Sequence, residues 1–224
     1  MTTPQPSPEE IQAVLECFRY GDLEEGDFKD IKKFTEAYGD EVLNELKDER
    51  GNTALHLCGG NGHQEIVAWL LPRLSPSTLS IQNSSSSTPL HWIALNYHLP
   101  ILQLLCPLLP LSAFSIKNKH DKTAVQEAEE ACEALVVPEG QEDSDLGRER
   151  VKREKVVGYL LGCMGLGVRK PTGGNEAKAE EEVESKEGEN VVVTSTGAGE
   201  KEQELMKKLE EQAERIKLEQ DEKK

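Results

Sequence analysis

The chain has 224 residues, of which 36% are hydrophobic, 4% aromatic and 30% charged. That is room for one or two domains with a modest core, not a core along the whole length. A net charge of −16 speaks against direct binding to nucleic acid, whose phosphates repel carboxylates, and suits either a basic partner or plain solubility.

Charge divides the chain. Residues 1–47 carry a net −7, residues 48–123 a net +1, residues 124–170 a net −3 and residues 171–224 a net −7. The low-charge middle is the expected folded core. Residues 1–7, "MTTPQPS", are expected to be flexible. They open an N-terminus with neither a basic region nor an apolar stretch, so they do not read as a signal peptide. Next, "SPEEIQAVLECFRYGDLEE" predicts an apolar helix and a turn, and "DFKDIKKFTEAYG" a second helix.

The centre repeats itself. "GNTALHLCGGNGHQEIVAWLL" starts at Gly51, and "SSTPLHWIALNYHLPILQLL" follows at a spacing of 35 residues. Thr53 and Thr88 are good N-caps, because their hydroxyls can satisfy free first-turn amides. Pro89 fits a first helical position. His56 and His91, each three residues after its threonine, are expected to bond back to the cap and the preceding loop. Gly62 can end the first helix in the left-handed conformation; Tyr97 in its place is a poorer terminator. A second helix follows, with Ile66, Val67, Leu70 and Leu71 matched by Ile101, Leu102, Leu104 and Leu105. Such a unit cannot bury its apolar face alone, so neighbours must stack.

A third copy starts at Thr123 in "NKHDKTAVQEAEEACEAL". It lacks the histidine, and its second helix is expected to be displaced by "PEGQEDSDLGRE" and to resume at "RVKREKVVGYLLG". With the N-terminal pair this makes four units, the outer two polar as caps must be. The predicted fold is all-α, a solenoid of four helix-turn-helix units over residues 8–165. Residues 166–200 read as a disordered linker and 201–224 as an acidic, partly helical tail. There Met206, Leu209, Ala213 and Ile216 share one narrow face, which suits a solvated helix or a docking one.

"TALH" at Thr53 and "TPLH" at Thr88, each followed by a turn histidine, resemble the ankyrin repeat. The order of parts resembles the fungal ankyrin-repeat chaperones of small-subunit ribosomal protein S-three. The shared features are an acidic N-terminal helix pair, His91-Trp92, the loop Lys117-Asn118-Lys119, the helix start Glu127-Ala128-Glu129 and an acidic tail. The insert near Pro138–Glu149 departs from that plan. The resemblance implies a monomeric binding protein of cytoplasm and nucleus that shields the basic N-terminal region of the newly made ribosomal protein and supports small-subunit assembly. A regulatory ankyrin adaptor for a transcription or signalling factor is the alternative.

Ankyrin stacks bind with loop tips and first helices. On that pattern the partner-binding candidates are Glu49, Arg50, Asn52 and Asn61 in the first central repeat. They are Ser87, Trp92, Leu95 and Asn96 in the second, and Lys122, Glu127, Glu129 and Glu130 in the third. Trp92 reads either as an interface anchor or as inter-helix packing. The three glutamates read either as a basic-helix site or as a solvated cap. No nucleophile is paired with a base, and the five cysteines, Cys17, Cys58, Cys106, Cys132 and Cys163, show no zinc-ligand spacing. Identical placement of His56 and His91 in two repeats argues for structural use. No enzyme activity, catalytic residue, metal or cofactor is expected. The absence of disulfide spacing suggests a reducing compartment, and the apolar run 99–111 is too short to span a bilayer.

Overall fold

The structure is a computed structural model that describes residues 5–22 and 26–166. The expected linker and tail from residue 167 onward lie outside the described residues. Helices α1 (Pro8–Tyr20), α2 (Asp27–Tyr38), α3 (Ala54–Asn61), α4 (Gln64–Leu70), α5 (Pro89–Leu95), α6 (Leu99–Leu105), α7 (Ala124–Glu133) and α8 (Asp145–Cys163) form four consecutive pairs. The first helices α1, α3, α5 and α7 pack side by side in one layer. Helices α4, α6 and α8 pack behind them. Among the described residues β pairing is confined to isolated bridges, Lys47 with Thr53 and Lys117 with Thr123.

The apolar pattern explains the stacking. Leu55, Leu90 and Val125 recur at one register and are buried, as do Ile66 with Ile101 and Leu70 with Leu105. Leu71 therefore corresponds to Cys106, not to a leucine. Val14, Leu15 and Phe18 of α1 and Val156 and Leu160 of α8 continue the same core at the two ends. None of these pairs could bury this surface without its neighbours.

Helix α8 begins at Asp145, five residues before the expected Arg150, because Ser144 caps it and accepts from the Gly147 N–H at 3.2 Å. Its arginines then serve α7. Arg150 Nη1 donates to Leu135 O and Arg153 Nη1 to Ala131 O, each at 2.9 Å. Cations placed there satisfy carbonyls at a helix C-terminus.

Candidate functional site

The loop edge is built by a 35-residue rule. Asp48, Asn83 and Asn118 each open a six-residue hairpin that closes at Thr53, Thr88 or Thr123. A side-chain oxygen of the opening residue accepts two backbone N–H groups: Arg50 and Asn52 at 2.9 and 2.8 Å, Ser85 and Ser87 at 2.9 and 3.0 Å, His120 and Lys122 at 2.9 and 3.3 Å. Gly51, Ser86 and Asp121 supply the left-handed turn residue, with φ of 73°, 56° and 58°. Adjacent loops are tied by their backbones, Ser84 N donating to Arg50 O at 2.8 Å and Lys119 N to Ser85 O at 3.0 Å.

The histidines bolt each loop to the next. His56 Nδ1 accepts the Thr53 N–H at 3.1 Å, and Nε2 donates to Ser87 O at 3.0 Å. His91 repeats this with Thr88 at 3.2 Å and Lys122 O at 3.1 Å. The bond runs to the following loop, not to the preceding one as expected from the sequence, because the ring at the third helical position points forward along the stack. Burial pushes the His56 pKa down to about 4 and lowers that of His91.

The turn histidines reach in the other direction. His63 Nε2 donates to Arg19 O at 2.8 Å and His98 Nε2 to Gly60 O at 3.1 Å. His98 thus does for α3 what His63 does for α1. The His98 ring packs where a side chain on Gly62 would stand, with its Cε1 2.6 Å from an ideal Cβ. Gly62 has φ of 87°, the left-handed value expected of it. Tyr97 also turns left-handed, at φ 57°. Instead of terminating poorly it becomes a strut: its hydroxyl donates to Ala128 O at 3.0 Å and Arg153 stacks on its ring at 4.6 Å.

These bonds fix which side chains share a face. Arg19 O and Gly60 O occupy equivalent places, so α1 is offset from α3 by 41 residues and the later helices by 35. Three rows follow on the face of the first helices: Glu16, Leu57, Trp92, Glu127; Arg19, Gly60, Leu95, Glu130; Tyr20, Asn61, Asn96, Ala131. Trp92 is partly buried. It meets His56 edge-on at 5.7 Å and covers Gly60, where a Cβ would lie 2.9 Å from its ring. Leu95 is 40% exposed beside it. Both roles considered for Trp92 are therefore open to one side chain: one flank packs and the other faces out.

Of the predicted partner-binding residues, Glu49 and Arg50 are exposed at a loop tip, and Asn61, Leu95, Asn96 and Glu130 are exposed on the helix face. The Asn61 amide donates to Arg19 O and Leu57 O, and the Asn96 amide to Trp92 O. Asn52 and Ser87 are corrections. They are 3% and 9% exposed and are used inside the loops, Asn52 Oδ1 accepting from Asn83 at 2.7 Å and Ser87 O from His56. Glu129 is half-buried; its counterparts Gly59 and Ala94 face the next repeat, so it is turned toward the open end of the stack. There it lines a polar cavity of about 400 Å³ that it shares with two other candidates, Lys122 and Glu130, and with His120, Gln126 and Glu133. Lys122 is ion-paired with Glu130. Glu127 alone of the three glutamates aligns with Trp92.

Among the described residues no group of acidic, histidine and cysteine side chains is arranged to hold a metal. No helix there is long and apolar enough to cross a membrane. Cysteines 17, 58, 106, 132 and 163 are free thiols.

Helix pairs stacked through buried Thr-x-x-His caps, with hairpins along one edge, define a repeat scaffold for protein interaction. Residues 24–108 match the family described as ankyrin repeats, and the described helix pairs stack as an ankyrin-type solenoid. No curated protein matches it. Among solved structures it is similar to a chain of the crystal structure of the yeast ribosomal protein Rps3 in complex with its chaperone Yar1. The two are 28% identical with a TM-score of 0.54, over 70% of this chain and 95% of that one.

Proposed function

We propose that this protein is a chaperone of the ribosomal protein Rps3. It shields the basic N-terminal region of the newly made client and supports small-subunit assembly, as a monomer in cytoplasm and nucleus. The observation that carries the reading is the likeness to a chain of the Yar1–Rps3 complex, which extends over 95% of that chain. Charge agrees with it. A ribosomal protein without its RNA has unneutralised positive charge, and a partner at −16 offers a substitute counter-charge. Calorimetry of the full chain with purified Rps3, intact and with its N-terminal segment removed, is the direct test. Binding at one to one that disappears on truncation is expected. Equal binding by both forms, or by neither, would discard this client region.

A further inference from the structure

The register set by the turn histidines brings α1 into the same face as Trp92, and α1 contributes what no central repeat does. Tyr20 lies at its end, 68% exposed, in the row of Asn61 and Asn96. Glu16 lies one turn earlier, exposed, in the row of Trp92 and Glu127. The cation of these rows, Arg19, is paired with Asp48, its Nη2 3.4 Å from Oδ2, and Lys122 at the loop edge is paired with Glu130. Glu16 and Glu127 form no ion pair among the described residues. The face thus presents two apolar posts, Tyr20 on α1 and the Trp92–Leu95 pair on α5, on either side of α3 and flanked on α1 and α7 by carboxylates that lack a counter-ion.

We infer that Tyr20 and Glu16 of α1 belong to the client site, and that its occupant is a basic amphipathic helix lying across the first helices from α1 to α7. This rests on the proposed chaperone function. Packed helices lie roughly 8–10 Å apart, so α1 and α5 are separated by roughly 16–20 Å, which a helix rising about 1.5 Å per residue covers in roughly 11–13 residues. The occupant therefore carries two apolar anchors about three turns apart on one face. One anchor meets Tyr20 and the other Trp92 and Leu95, with Lys or Arg beside each to meet Glu16 and Glu127. Helix-in-groove recognition takes this form, apolar anchors giving affinity and charges giving direction.

The test is anisotropy of a labelled peptide of the Rps3 N-terminal segment titrated with the full chain. The variants are Tyr20→Ala, Glu16→Lys, Trp92→Ala, and Glu36→Lys on α2 outside this face. Tyr20, Glu16 and Glu36 are exposed, and circular dichroism confirms the fold of each variant. Tyr20→Ala is expected to weaken binding about tenfold, the scale of a lost aromatic contact. Glu16→Lys is expected to weaken it several-fold at low salt and less at high salt, with Glu36→Lys near the parent. Parent-like binding by Tyr20→Ala and Glu16→Lys, with Trp92→Ala still impaired, overturns the extension to α1 and leaves the chaperone reading intact. A Glu36→Lys effect equal to that of Glu16→Lys overturns the directed contact. No binding by the parent chain removes the client and this inference together.

Discussion

His56 receives the Thr53 N–H at Nδ1 and gives its Nε2 proton to Ser87 O, and it can do both only while neutral. Protonation would put a second N–H against the Thr53 N–H inside a buried site. Burial accordingly lowers its pKa from 6.5 to about 4, and those of His91 and His98 move the same way. The unfolded chain then binds a proton at a pH where the folded chain refuses it. Stability is full above about pH 6.5 and declines as pH falls toward about 4, with His56 alone accounting for about 2 kcal/mol at pH 5. Urea unfolding at pH 7.5 and pH 5.0 should show this loss. His56→Gln, the residue type that stands at this place in the third unit as Gln126, should be less stable at pH 7.5 and show a smaller drop. An unchanged drop in that variant would mean the proton goes elsewhere.

Each helix pair depends on leucines that meet the pairs beside it. Leu90 is 1% exposed and stands between Leu55 and Val125, so Leu90→Ala should cost about 2–5 kcal/mol. Because the pairs hold one another, it should lower one cooperative transition and not produce a second, local one. Chemical denaturation followed by both circular dichroism and Trp fluorescence would expose two transitions if the coupling were weaker. These elements were legible because their signals are chemical: the Thr caps and the apolar spacing survive from unit to unit as recognisable residues, and Pro89 adds a helix start in the second. The loops were less legible because they conserve a conformation, not a residue. Position 51, 86 and 121 is a glycine, a serine and an aspartate, and only their shared positive φ reveals the rule. The opening Asp48, Asn83 and Asn118 did recur every 35 residues, and that period could have been found. The early start of α8 was hidden because Ser144 and Gly147 sit within a polar insert. The burial of Asn52 and Ser87 was hidden because a loop residue's exposure depends on the loop beside it.

Across the whole molecule, charge is divided between acidic ends and a near-neutral centre. The chain is −16 overall, yet residues 48–123 are +1, so under the proposed function long-range attraction of a basic client would come from the flanks and close fit from the centre. Steering by charge acts mainly on the association rate, and exposed pairs add only about 0.2–1 kcal/mol each. A desolvated aromatic contributes more, about 2 kcal/mol or above, so Trp92→Ala should weaken binding of the Rps3 N-terminal segment roughly thirtyfold, chiefly through faster dissociation. Trp92 also covers Gly60 and touches His56. The variant must therefore be compared at a temperature where it is fully folded, with the exposed Leu95→Ala as a check that moves binding and spares the core. Charge reversal separates the glutamates. Glu127→Lys, in the row of Trp92, should slow association and flatten its dependence on salt. Glu129→Lys, turned to the open end of the stack, should do so less, since attraction between exposed charges weakens with separation and is screened over about 8 Å at physiological ionic strength. Stopped-flow association at several salt concentrations measures both. Equal slowing by the two would mean that the client reads the net charge of the last repeat and not the row it shares with Trp92.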